Sequence, residues 1–112
     1  MDTRWIEEFP DAITVCDPAG IILAMNARSA EVNAADGGRA LVGTNVLDCH
    51  PEKAREMLAG MLATQRRNVY TIEKHGVKKL IVQSPWFQDG AYAGFVELSI
   101  VIPFEMPHFV RT

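Results

Sequence analysis

The feature that most constrains this chain is a change of period near residue 68. Upstream, Ala54, Met57, Leu58, Met61 and Leu62 recur at i, i+3, i+4, i+7 and i+8, the stripe of one buried helix face. Pro51 suits a first-turn position, Glu52 complements the positive end of the helix dipole, and Arg66-Arg67 complement the other end. Gly60 weakens this helix by about 1 kcal/mol relative to alanine. Downstream the period is two, predicting strands over 69–75, 79–87 and 91–102, with turns at Gly76 and at Gln88-Asp89-Gly90. A sequence written with one period will not adopt the other. The chain must therefore join one amphipathic helix to a three-stranded meander.

The first half supplies a hairpin. Ala12-Ile13-Thr14-Val15-Cys16 is rich in strand formers, Asp17-Pro18-Ala19-Gly20 is a turn with Pro early and Gly last, and residues 21–25 form a second strand. Asn26 then caps a helix over 27–32, and Asp36-Gly37-Gly38 marks a loop. Gly43 supplies a backbone angle other residues avoid. Residues 3–9 predict a turn or two of helix with Thr3 as cap and Trp5, Ile6 and Phe9 on its apolar side; Pro10-Asp11 ends it. So short a helix is unstable unless that side covers a surface. Pro85 within the middle strand of the meander requires a bulge or an edge-like position. Helices placed between a hairpin and a meander give an α+β domain, one antiparallel sheet with helices on a single face.

At 112 residues there is room for one core. Hydrophobic residues at 48% and charged residues at 22% separate the chain from disordered sequences. A net charge of −3, with basic runs no longer than Arg66-Arg67 and Lys78-Lys79, gives no footprint for nucleic acid. No apolar run approaches the roughly 20 residues of a bilayer span, and the N-terminus lacks a signal-peptide core, so no membrane is expected and cytoplasm is the default. Cys16 and Cys49 match no zinc spacing and read as reduced thiols.

Taken in order, these features resemble a PAS domain over residues 9–103. The resemblance rests on Pro10-Asp11-Ala12-Ile13, Asp17-Pro18-Ala19-Gly20, Asn26-Ala27, Leu41-Val42-Gly43-Thr44-Asn45, Ser84-Pro85, Gly90 and Gly94. Asp48-Cys49-His50-Pro51 is similar to a string found in a subgroup of bacterial and archaeal PAS sensors. The resemblance implies a five-stranded sheet in order 2-1-5-4-3 cupping a pocket beneath the helices. It divides the chain into a flanking helix (1–9), the domain (10–103) and a tail (104–112). It also implies sensing of a small molecule, cofactor or redox state, and dimerisation through the N-terminal helix. Flavin photoreceptor relatives carry a reactive cysteine after the Gly-x-Asn that Gly43-Thr44-Asn45 resembles; Val46 stands there instead, arguing against adduct chemistry. Relatives that bind haem through the long helix use a histidine that residues 54–67 lack, which leaves only His50 near the helix start.

The pocket candidates are Cys16, Val46, Cys49, Met57, Met61, Ile81, Gln83, Val96 and Leu98. The resemblance implies a register in which Lys79, Ile81 and Gln83 face inward, Gln83 then being the polar group able to orient a ligand and Lys79, near the strand end, being either inward or solvated. On the last strand Val96, Leu98, Ile100 and Ile102 share one face, opposite Phe95, Glu97, Ser99 and Val101. Several candidates have a second reading. Cys49 beside a helix N-terminus has either a lowered thiol pKa and redox or metal chemistry with His50, or a packing role with His50 as cap or solvent-facing. Asp48 reads as a cap. Cys16 touches a ligand or fills space, and Met57 and Met61 are pocket wall or plain core. Trp5, Ile6, Phe9, Leu80, Val82 and Phe95 are expected on an apolar outer face that forms a homodimer interface.

Three functions compete. The first is a sensory module whose ligand biases the packing of the flanking segments, its effector lying in another chain or elsewhere in this one. The second is a ligand-free dimerisation scaffold. The third, an enzyme of the cone-shaped steroid-isomerase kind, needs a positioned acid, and Asp17, Asp48 and Glu73 each have a turn, cap or surface reading. No catalytic residue and no metal ligand is assigned. Pro103 and Pro107 argue against a continuous signalling helix at the C-terminus.

Overall fold

Two tight turns build the meander. His75 and Gly76 have φ of 52° and 76°, and Asp89 and Gly90 have 52° and 80°, the left-handed pairs of two-residue hairpins. They join β3 (Asn68–Lys74) to β4 (Val77–Gln88) and β4 to β5 (Ala91–Ile102). At the other end, Asp17 Oδ1 accepts from the amides of Ala19 and Ile21, both at 2.9 Å, shaping the turn between β1 (Ala12–Cys16) and β2 (Ile22–Met25). β1 pairs with β5, and the all-antiparallel sheet runs β2-β1-β5-β4-β3. This computed structural model describes Asp2 and residues 4–112; the expected cap Thr3 lies outside the described residues, as does the side chain of Cys49.

The helices are α1 (Arg4–Glu7), α2 (Ala27–Val32) and α3 (Glu52–Thr64), with single 3-10 turns at Ala34–Asp36, Gly38–Leu41 and Val46–Cys49. Asn26 caps α2 by accepting from the Ser29 amide. Pro51 is the cap residue of α3 rather than its first-turn residue, and Asp48 does not cap the helix; it lies 3.9 Å from Arg55 instead. α3 ends where Gln65 turns left-handed at φ 57°. Residues 103–112 form neither helix nor strand.

The sheet has a core on each side. Inside, Cys16 and Phe95 pack against Met61 and Leu62 of α3. The helix touches the sheet through this C-terminal end, so the stripe is buried at Met61 and Leu62 and only half-buried at Ala54 and Leu58. Met57, at the margin of that stripe, is 57% exposed, which corrects its expected place in the pocket wall. Outside, Ile6 of α1 lies on Ile13 and Val15, with Trp86, Val96 and Leu98 around it. Burial of Ile6 contributes about 1.5–3 kcal/mol. The short helix thus covers the outer face of its own chain.

A one-residue bulge decides which side chains face which core. Phe87 pairs with Tyr92, but Trp86 pairs with Gly94, leaving Ala93 unmatched. From there Pro85 opposes Phe95, Gln83 opposes Glu97 and Val82 opposes Leu98. Directly opposed residues share a face. Phe95 therefore points into the inner core, and Val96 and Leu98 point outward, the reverse of the expected assignment. Pro85 lies past the end of β3, whose last pair is Asn68 with Gln83, so β4 is an edge there and a missing N–H is tolerated.

Candidate functional site

Where α3 leaves the sheet, a cavity of about 370 Å3 opens between the inner sheet face and the helical side. Its floor comes from alternate residues of four strands, among them Thr14, Glu97, Ser99, Ile81 and Tyr70; its roof includes Met25, Ser29, Leu41, Val46 and His50. Asn68 Nδ2 donates to Gln83 Oε1 at 3.1 Å. Gln83 in turn stands directly opposite Glu97 in the β4–β5 register. Glu97 is exposed, its side chain lining the cavity, and partial desolvation by the surrounding protein pushes its pKa above the ordinary carboxylate value. The Gln83 side chain and the nearby His50 ring oppose that rise. Burial, with Glu97 as a second cause, likewise raises the Tyr70 hydroxyl. His50 Nδ1 lies 2.6 Å from the Val46 carbonyl; a carbonyl only accepts, so Nδ1 carries the hydrogen.

The cavity is tied to the flanking segments by polar contacts. Thr14, beside Glu97 in the β1–β5 register, is hydrogen-bonded through its hydroxyl to that of the fully buried Ser29. Arg39 donates to the Met25 carbonyl at 2.8 Å and pairs with Glu7 of α1.

No family model and no curated protein matches the chain. Solved structures do. The PAS domain of BvgS from Bordetella pertussis is 23% identical with a TM-score of 0.61, over 88% of this chain and 82% of that one. The PAS domain of an HTR-like protein from Haloarcula marismortui is 19% identical with a TM-score of 0.59, over 88% and 86%. The Aer2 receptor from Vibrio cholerae, described as a dual PAS-heme oxygen sensor, is 19% identical with a TM-score of 0.58, over 83% and 95%. With the strand order β2-β1-β5-β4-β3 they decide the architecture. The chain has the PAS fold.

Within this PAS fold the expected pocket residues separate. Val46 and Ile81 line the cavity, and Gln83 stands beside it, opposite Glu97. Cys16 and Met61 are core instead: Met61 is 1% exposed, and burial raises the Cys16 thiol pKa. Met57 faces solvent, and Val96 and Leu98 lie on the outer face with α1. Of the outer-face residues, Ile6 is buried, Leu80 and Val82 are half-buried, and Trp5 and Phe9 are 72% and 42% exposed; Phe95 belongs to the inner core. Sequence reasoning missed Glu97, Tyr70 and Thr14 as site residues. The signal for Glu97 was its pairing with Gln83, legible once the bulge is counted. No helix among the described residues is long and apolar enough to cross a membrane.

Proposed function

We propose that this chain is a PAS-type sensory module that binds a small molecule in the cavity above Glu97 and passes its occupancy to the flanking segments. One observation carries the reading: the cavity floor presents a carboxylate, Glu97, that none of the ion pairs among the described residues engages. A carboxylate left unpaired on the floor of a cavity is available to a ligand of opposite charge. The path Thr14–Ser29–α2 leads from the cavity toward α1, and a ligand that prefers one packing of these elements shifts its population. The output partner is an effector protein. The likeness to Aer2 adds a prosthetic group to the occupants worth testing. Native mass spectrometry of freshly purified protein, with a visible absorption spectrum, is the test. A retained non-protein mass supports sensing; its absence, together with no response to a ligand panel, supports the ligand-free scaffold.

A second reading concerns assembly. Trp5 of α1 and Phe9 just beyond it remain exposed while Ile6 is anchored, and Leu80 and Val82 are only half covered. They support a homodimer through α1 and the outer sheet. The cone-shaped enzyme places its helices ahead of the sheet, and this chain begins its sheet with a hairpin.

A further inference from the structure

The floor of the cavity carries opposite charges at its two ends. Along the inner face, Glu97 opposes Gln83, Ser99 opposes Ile81 and Val101 opposes Lys79, in that order from the α3 end toward the β3–β4 hairpin. On β3 the inward residue opposite Lys79 is Ile72, and Lys74 lies one inward position farther. Both lysines line the cavity. Four residues of antiparallel strand span about 13 Å, which is the offset along the sheet between Glu97 and Lys79. The ion pairs among the described residues join neither of them. Between the two ends the floor is uncharged, formed by Ser99, Ile81, Tyr70 and Ile72.

We propose that the cavity takes an extended dipolar ligand, an ω-amino carboxylate, with its amine against Glu97 and its carboxylate against Lys79. This rests on the reading of the cavity as a ligand site. Glu97 has no ion-pair partner among the described residues, an ammonium group supplies one, and Gln83 stands directly opposite as a further polar group. His50, its Nδ1 held by the Val46 carbonyl, also lines the cavity. The opposite end is cationic and reached by a long flexible side chain, which suits a terminal carboxylate. The uncharged middle suits methylenes. An α-amino acid carries its two charges on adjacent carbons and cannot reach both ends. Asp36 of the helical wall also lines the cavity, and Lys74 lies nearer than Glu97 to the hairpin end, so the polarity of the floor is set by Glu97 against the lysine pair.

Calorimetric titration of the full chain with 6-aminohexanoate, hexylamine and hexanoate tests this. The dipolar probe should bind at least about tenfold more tightly than either singly charged one. Glu97→Gln, which keeps the shape, should erase its advantage over hexanoate; Lys79→Met should erase its advantage over hexylamine. Equal binding of hexylamine or hexanoate to the wild-type protein, or unchanged binding of 6-aminohexanoate by either variant, overturns the proposal. Native mass spectrometry separates the two levels. A co-purifying small molecule without affinity for 6-aminohexanoate removes the dipolar class and leaves the sensory reading standing. No retained mass and no binding of any probe removes both.

Discussion

The side-chain amide of Asn26 donates to the main-chain carbonyl of Ile6 at 2.9 Å, so the residue that caps α2 also holds α1 to the sheet. The same nitrogen reaches the Asp11 carbonyl at 2.8 Å, and Oδ1 accepts from the amides of Ile13 and Ser29, both at 3.0 Å. One fully buried side chain thus joins the N-terminal helix, the start of β1 and the start of α2. The flanking segment is fastened to the wall of the cavity through its most inaccessible polar group.

Asn26→Ala should therefore cost about 3 kcal/mol or more, because it leaves buried amides and carbonyls unpaired at about 1–3 kcal/mol each. Urea denaturation measures it. A loss below about 1 kcal/mol would show that water replaces the amide and that the hub is not structural.

Gly94→Ala should be among the most damaging single changes. A Cβ at Gly94 would sit 1.9 Å from the Cys16 carbonyl oxygen, and the backbone there has φ of 129°. Both obstacles are backbone, so neither yields cheaply. We expect a large fall in melting temperature or insoluble expression; near-wild-type melting would mean that the β1–β5 contact is looser than described.

The two methionines of the α3 stripe should behave differently. Met61→Ala, at 1% exposure, should cost about 2–5 kcal/mol, whereas Met57→Ala, at 57%, should stay within about 0.5 kcal/mol. Similar losses at both sites would indicate that the N-terminal half of α3 docks on the sheet in solution.

Glu97 gives a pH signature. Partial desolvation raises its folded-state pKa above the ordinary carboxylate value, so the folded protein holds this proton more tightly than the unfolded chain. Stability should fall as pH rises through the window between those two values and be level on either side. Glu97→Gln lacks that slope. It should match wild type below the ordinary glutamate range and exceed it at neutral pH, in melting curves taken across the range. Parallel profiles for the two proteins would place Glu97 in water. His50 and Tyr70 face the same carboxyl and belong in the control set.

Trp5→Glu tests assembly. With Trp5 72% exposed, the substitution leaves the subunit fold intact. Light scattering should then report a shift toward monomer, and an unchanged dimer mass would remove Trp5 from the interface.

Much of the fold was legible because local signals agreed with one another. The span of α2, the cap at Asn26 and the span of β5 follow from turn chemistry and period. The faces of β5 did not follow. By polarity alone Val96, Leu98 and Ile100 look like the core side, and Glu97 and Ser99 like the solvent side. That rule fails here because the outer face has a core of its own under Ile6, while the inner face borders a polar cavity. Period-two alternation reports which residues share a face but not which face is covered. The candidate site inherited this error, losing Glu97 and gaining Val96 and Leu98. Met57 was misplaced for a different reason: a helix stripe shows where burial is possible, and only the tilt of α3 against the sheet decides how far it extends.

The unmatched Ala93 has a consequence for how such a chain can change over time. Deleting it would close the bulge and leave Gln83 opposite Glu97, but keeping it and pairing the strands without a bulge would bring Gln83 opposite Val96 and turn the last strand over. Glu97 would then be carried to the side where α1 rests, and Leu98 into the hollow. Homologues that keep this site should accordingly either hold the extra residue together with its bulge or lose both at once.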